Sequence, residues 1–151
     1  MTTKTQTNKY DSICLANQLC FPLYALAKDV VRQYRKPLDE LGLTYTQYVV
    51  MMVLWEFGSM TEGELGKRVF LDSGTLAPLL KRLEKQGYIR RTRPQDNERK
   101  LLISLTDEGS DLRDRALEIP QVMEGCIDLP EEDLIELKRI LNKALDRMGR
   151  V

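Results

Sequence analysis

Between Met60 and Leu105 the apolar residues switch from helical to alternating spacing, and few folds accept that switch over so short a stretch. Thr61 and Glu64 have the spacing of a capping box, and Leu65, Val69 and Phe70 give the helix they open one apolar face. Asp72 or Ser73 then caps a second helix. Along it Leu76, Leu79, Leu80 and Leu83 form an apolar stripe, with Ser73, Thr75, Lys81, Arg82 and Lys85 mostly off it. Gly87 stops this helix, as a glycine just past a helix end does. Residues 88–92 and 100–105 alternate as strands, joined by the polar, turn-rich residues 93–99. Two short helices followed by a basic two-stranded hairpin predict a winged helix-turn-helix, with its lobe at 44–105, its wing at about 93–100, and DNA as its partner.

The distribution of charge supports that expectation where the total does not. The 151 residues carry 23 basic and 23 acidic side chains, so composition alone points to no nucleic acid. Between Asp72 and Lys100, however, Lys81, Arg82, Lys85, Arg90, Arg91, Arg93, Arg99 and Lys100 outnumber Asp72, Glu84, Asp96 and Glu98, and from Thr106 onward acids dominate. Segregated positive charge is what phosphate neutralisation requires, the bland alternative being a solvated basic hairpin.

The chain has no histidine, which removes imidazole acid-base chemistry, histidine-ligated zinc and the usual activation of serine or cysteine nucleophiles. Cys14, Cys20 and Cys126 have neither zinc-knuckle spacing nor the pattern of a disulfide scaffold, and no glycine-rich phosphate cradle occurs. The expectation is a protein with reduced thiols that is not an enzyme and uses no cofactor and no metal. A polar N-terminus and the lack of a long apolar run predict a soluble, cytoplasmic protein with no membrane partner.

The flanking segments read as helices within a single subunit spanning 1–151. Leu15, Leu19, Leu23, Leu26, Val30 and Tyr34 give residues 11–35 an apolar face, so one long helix is predicted, capped by Asp11 or Ser12 and bent at Pro22 in its interior. A short turn follows around 38–41, then an apolar helix from Tyr45 to Glu56. After the hairpin, Thr106 restarts helix up to a break at Pro120. Leu129, Pro130 and three acids open a last helix bearing Leu134, Leu137, Ile140, Leu141, Ala144, Leu145 and Met148. Residues 11–36 and 107–148 carry more apolar surface than a small winged helix needs for its own core. They are expected to form the dimerisation lobe of a homodimer, with an intrachain bundle as the alternative. In a dimer, two recognition helices about 34 Å apart read the half-sites of a pseudo-palindromic, double-stranded operator. The fold class is therefore mainly α with a small β-hairpin.

Several stretches carry a resemblance. They are Asn17-Gln18-Leu19-Cys20-Phe21, Leu43-Thr44-Tyr45-Thr46-Gln47-Tyr48, the block from Phe70 through Leu71-Asp72-Ser73-Gly74-Thr75-Leu76 to Glu84, Asn97-Glu98-Arg99, and Ile103-Ser104-Leu105-Thr106. Together they resemble the MarR family of transcriptional regulators and, within it, the organic hydroperoxide resistance regulators. The resemblance implies a homodimeric repressor whose Cys20 is oxidised by an organic hydroperoxide or a related oxidant, with release of operator DNA. It also implies that tyrosine hydroxyls hold the thiol, at Tyr34 and Tyr45, with Tyr24 nearby. Fourteen helical residues put Cys20 and Tyr34 roughly 21 Å apart, so Tyr34 serves Cys20 only from a second subunit with antiparallel helices, whereas Tyr24 shares the face of Cys20.

Some members of the family resolve the oxidised thiol with a small-molecule thiol, others with a second cysteine near the start of the last helix. Cys126 matches the second kind and is the candidate resolving residue, an ordinary half-buried thiol being the alternative; Cys14 has no role to transfer. Ser73, Thr75, Lys81 and Arg82 are candidates for the major groove and Arg99 for the minor groove, with Arg91 and Arg93 as further DNA-binding candidates. The sequence departs from the family at Asn97, where relatives carry an aspartate that orients the wing arginine and for which Asp96 can substitute, and at Pro22, two residues after the reactive cysteine. Residues 60–105 contain no cysteine and no histidine, so the winged segment is an output that the flanking helices must control. Two other functions fit parts of the pattern: a repressor released by a small aromatic ligand with Cys20 incidental, and a thiol peroxidase.

Overall fold

The computed structural model describes residues 9–95, 97 and 99–149. The chain opens with two 3-10 turns, Asp11–Ile13 and Leu15–Asn17, and helix α1 then runs Cys20–Gln33. The long helix expected from residue 11 thus begins only at Cys20, and Pro22 lies in its first turn, not in a bent interior. Two local effects decide this. The Asn17 amide donates to the Asp11 carbonyl and the Gln18 amide to the Ser12 carbonyl, both at 2.7 Å, which folds the preceding segment into turns. A first turn also leaves its N–H groups unpaired, so a proline there removes nothing the helix needs. Cys14 is consequently off α1, its thiol donating to the Tyr10 carbonyl at 3.5 Å.

Helix α2 is Arg35–Asp39 and α3 is Tyr45–Phe57, the latter opened by a capping box between Thr44 and Gln47. Strand β1, Met60–Thr61, leads into α4, Glu62–Val69, which the Thr61 and Glu64 capping box opens as expected. Asp72 caps the recognition helix α5, Ser73–Lys85, and Gly87 follows it at φ 83°, the left-handed geometry that ends helices at glycine. Strands β2 (Ile89–Thr92) and β3 (Leu102–Leu105) form the hairpin. The remaining helices are α6 (Asp107–Ala116), α7 (Ile119–Val122) and α8 (Glu131–Arg147).

The sheet has three strands in the order β1-β3-β2, one more than the hairpin expected. Met60 pairs antiparallel with Ile103, and both side chains are buried, so two residues suffice to hold β1 against the core. That core joins Leu38, Val50, Met51 and Leu54 to Leu65, Leu76, Leu80 and Leu83 of the helix-turn-helix and to Ile89 and Ile103 of the sheet. Leu112 and Ala116 of α6 and Ile119 of α7 belong to it too, so the first part of segment 107–148 packs with the winged lobe.

By contrast, α1 and α8 bury none of their residues. Phe21, Leu23 and Val31 on α1 and Ile135, Ile140 and Leu141 on α8 stay exposed, and no intrachain bundle among the described residues covers them. Among the described residues, no helix is long and apolar enough to cross a membrane.

Candidate sensor site and nucleic-acid interface

Cys20 is the first residue of α1 and is exposed. Leu19 before it supplies no side-chain cap, so the main-chain N–H groups of the first turn receive no acceptor from the capping position. Tyr24, one turn on, is also exposed, with the Lys28 ammonium 5.9 Å from its ring centre.

The other tyrosines gather at the opposite end of α1. Tyr34 closes that helix, with its ring centre 4.9 Å from Tyr45 and 6.1 Å from Tyr48. Thr44 fixes where α3 begins, and with it the positions of Tyr45 and Tyr48. Burial raises the Tyr34 phenol above its ordinary pKa, with Tyr45, Tyr48 and Cys126 adding in that order; burial and then Tyr45 raise Tyr48. Both remain protonated hydroxyl donors at neutral pH.

Cys126 joins this cluster. Its main-chain carbonyl accepts from the Gln33 amide at 3.1 Å, its N–H donates to the Met123 carbonyl at 3.0 Å, and its side chain packs partly buried against the core. The structure therefore brings Tyr34, Tyr45 and Cys126 together and leaves Cys20 and Tyr24 at the far end of a helix roughly 20 Å long. Tyr48 was not singled out in the sequence, although its spacing from Tyr45 puts the two on one face of α3.

On the winged face, Asp72 accepts from the Thr75 N–H at 2.8 Å and from the Thr75 hydroxyl at 3.2 Å, and these bonds lower its pKa. Ser73, Thr75, Lys81 and Arg82 are exposed along α5, as are Arg93 and Arg99 on the wing. Arg91 is held differently. Its Nε donates to Glu84 Oε2 at 2.8 Å, its main-chain N–H to Oε1 at 3.1 Å, and its Nη2 lies 2.7 Å from Oε2. These bonds depress the Glu84 carboxyl and tie β2 to the recognition helix, so Arg91 acts as a brace between the two elements. At the wing tip, Asn97 accepts from the main-chain N–H of Arg99 at 3.2 Å, a local turn in place of a hold on the guanidinium. Asp96 and Glu98 lie outside the described residues.

The family model for the SarA/Rot transcriptional regulators matches residues 32–116. The organic hydroperoxide resistance transcriptional regulator of Bacillus subtilis (strain 168) is 44% identical over 141 residues, 93% of this chain and 96% of that one. AbfR of Staphylococcus epidermidis is similar in three solved forms. Reduced and bound to DNA, it has 35% identity and a TM-score of 0.75, over 93% of this chain and 99% of that one. Overoxidized and bound to DNA it has the same identity and coverage with a TM-score of 0.74, and the disulfide form has 34% identity and 0.59 over 94% of each chain. The fold described above is thus nearer to the two DNA-bound forms of that relative than to its disulfide form. The chain belongs to the MarR family of transcriptional regulators, on the branch of the organic hydroperoxide resistance regulators.

Proposed function

We propose that two copies of this chain form a cytoplasmic, operator-binding repressor that senses organic hydroperoxides at Cys20. One observation carries the reading: α1 separates Cys20 from Tyr34, Tyr45 and Cys126 by roughly 20 Å while leaving its apolar side chains exposed. A second copy, with its α1 antiparallel to the first, covers the apolar face and completes the site in one arrangement. Cys20 of one copy then meets the tyrosines and Cys126 of the other, with Tyr24 flanking Cys20. A disulfide needs Cα atoms within about 7 Å, so Cys20 and Cys126 of one copy are too far apart to form one.

In this reading the Cys20 thiolate attacks an oxygen of the hydroperoxide. The S–O bond forms as the O–O bond breaks, sulfur gives up two electrons, and the leaving alkoxide takes a proton to become an alcohol. The Cys126 thiol of the other copy then attacks the sulfenic sulfur; the S–S bond forms, and the hydroxyl leaves with the thiol proton as water. The disulfide draws the two copies into a different relative position and spoils the spacing of the two α5 helices on the operator. Ser73, Thr75, Lys81 and Arg82 read the major groove, Arg93 and Arg99 reach from the wing, and Arg91 braces the wing to α5. Cys20 reacts stoichiometrically with the oxidant, whereas the cysteine of a peroxidase is re-reduced and turns over steadily with a reductant.

Operator binding before and after an organic hydroperoxide, in the native chain and in Cys20→Ser, tests this. The native protein is expected to release its DNA and the serine variant to keep it. Release of the serine variant by the hydroperoxide would overturn the reading.

A further inference from the structure

The oxidant site and the recognition helix are joined by a set of contacts that centres on Trp55, the one tryptophan in the sequence. Trp55 lies on α3, the helix that carries Tyr45 and Tyr48, with its ring edge-on to Tyr48 at 6.2 Å between centres. Its indole N–H leaves the cluster and donates to the Gly109 carbonyl in the first turn of α6 at 2.8 Å.

Gly109 is itself pressed against the link between α5 and β2. A Cβ at position 109 would lie 1.9 Å from the Tyr88 carbonyl oxygen, so only glycine lets α6 approach the chain there. Thr106 completes the junction, accepting from the Gly109 N–H at 3.0 Å and donating its hydroxyl to the Gly87 carbonyl at 2.5 Å and its N–H to the Tyr88 carbonyl at 3.1 Å. Gly87 and Tyr88 follow the Gln86 cap of the recognition helix. From Tyr34 through Tyr48, Trp55 and Gly109 to Tyr88, each member touches the next by a ring contact, a hydrogen bond or a close backbone approach.

We infer that Trp55 is a positioning residue for the switch: its hydrogen bond to Gly109 transmits a displacement of the tyrosine cluster on α3 to the end of the recognition helix. The inference rests on the redox reading proposed above and adds to it the route by which oxidation reaches α5. A single donor-acceptor pair suits that task. The bond is directional and shielded, and a shift of α3 along α6 either drags Gly109 with it or breaks the bond.

The test is Trp55→Phe, which keeps an aromatic ring and removes the donor. Operator affinity is measured for the reduced and oxidised forms of the native chain, Trp55→Phe and Cys20→Ser, with the extent of Cys20 oxidation followed by mass spectrometry. The reduced variant is expected to bind as the native chain does and to oxidise at Cys20 to the same extent, while its loss of affinity on oxidation shrinks by about fivefold or more. An unchanged ratio of oxidised to reduced affinity in Trp55→Phe overturns the inference and leaves the redox reading standing. A native chain that keeps its operator when oxidised overturns both, and does so in a different arm of the experiment. Because Trp55 is the one tryptophan, the unmutated chain supplies a second readout even if the variant does not fold. Its indole emission is expected to shift on oxidation of the native chain and to stay fixed in Cys20→Ser. An unmoved emission in native protein that has released its DNA also overturns the inference.

Discussion

Gln33 and Cys126, distant in sequence, meet at the C-terminal end of α1, where the Gln33 side-chain amide donates to the Cys126 main-chain carbonyl at 3.1 Å. The bond fixes the segment before α8 beside Tyr34 and gives the Cys126 thiol a defined position in the aromatic cluster. In the proposed mechanism that position is where the sulfenic acid of a second copy arrives.

Gln33→Ala should therefore separate the two chemical steps. An exposed hydrogen bond of this kind contributes about 1 kcal/mol or less, so the unfolding midpoint should barely move. Sulfenic acid at Cys20 should form at the native rate. The disulfide-linked dimer, followed on non-reducing gels, should form roughly three- to tenfold more slowly, in line with about 1 kcal/mol of lost positioning. Equal rates of linkage in variant and native protein would mean that the placement of this segment does not limit capture.

A second variant probes the brace between wing and recognition helix. Glu84→Gln leaves an acceptor for Arg91 but removes the charge that strengthens the pair. Reduced protein should bind operator several-fold more weakly although its net charge is more positive, because the wing loses its fixed orientation. The stability cost should be small, about 0.5 kcal/mol, since Glu84 is partly solvated. The pH dependence has a definite sign. Arg91 holds the Glu84 pKa below its ordinary 4.5, so the stabilisation is present above that value and is lost as pH falls through the depressed one. Thermal unfolding from pH 7 to 5 should thus show the pair intact, and the native chain should lose its advantage over the variant only as pH falls through the depressed Glu84 value, below the ordinary 4.5.

What could be read in advance was local chemistry. The capping box at Thr61 and Glu64, the Asp72 cap, the stop at Gly87 and the acid-rich start of α8 after Pro130 all depend on residues a few positions apart, and each stands where the spacing put it. Pro22 reads from spacing as an interior kink, and the expectation fails because a proline fits a first turn equally well; the hydrogen bonds of Asn17 and Gln18 to the preceding turns delay the helix start to Cys20. Strand β1 is two residues long and has no periodicity to detect. Arg91 looked like any other cation of the basic hairpin, because nothing local reveals that Glu84 lies across from it. The meeting of Cys126 with Tyr34 is likewise a tertiary fact, and so is the hold of Trp55 on Gly109. The resemblance supplied Cys20, Tyr34, Tyr45 and Cys126 as candidates, but not the aromatic ring of Tyr48 behind them.

Two glycines make a contrasting pair. At Gly109 an added methyl would meet the Tyr88 main chain, with the carbonyl oxygen at 1.9 Å and the carbon at 2.8 Å, and backbone cannot step aside as a side chain can. Gly109→Ala should cost about 3 kcal/mol, lowering the unfolding midpoint by roughly 6–12 °C. Gly63, inside α4, has nothing within 4 Å of such a methyl, and Gly63→Ala should stabilise by about 0.5–1 kcal/mol. Calorimetry on both variants checks the packing between α6 and the α5–β2 link against an internal control.

In the proposed mechanism, oxidation of Cys20 lifts the repressor from its operator. Its most direct test titrates the reduced protein–DNA complex with an organic hydroperoxide and measures, in the same samples, the fraction of DNA set free and the mass-resolved state of each cysteine. Free DNA should rise in step with Cys20 entering a disulfide with Cys126 of another copy, with Cys14 still a thiol. Operator release while Cys20 remains a thiol would contradict it.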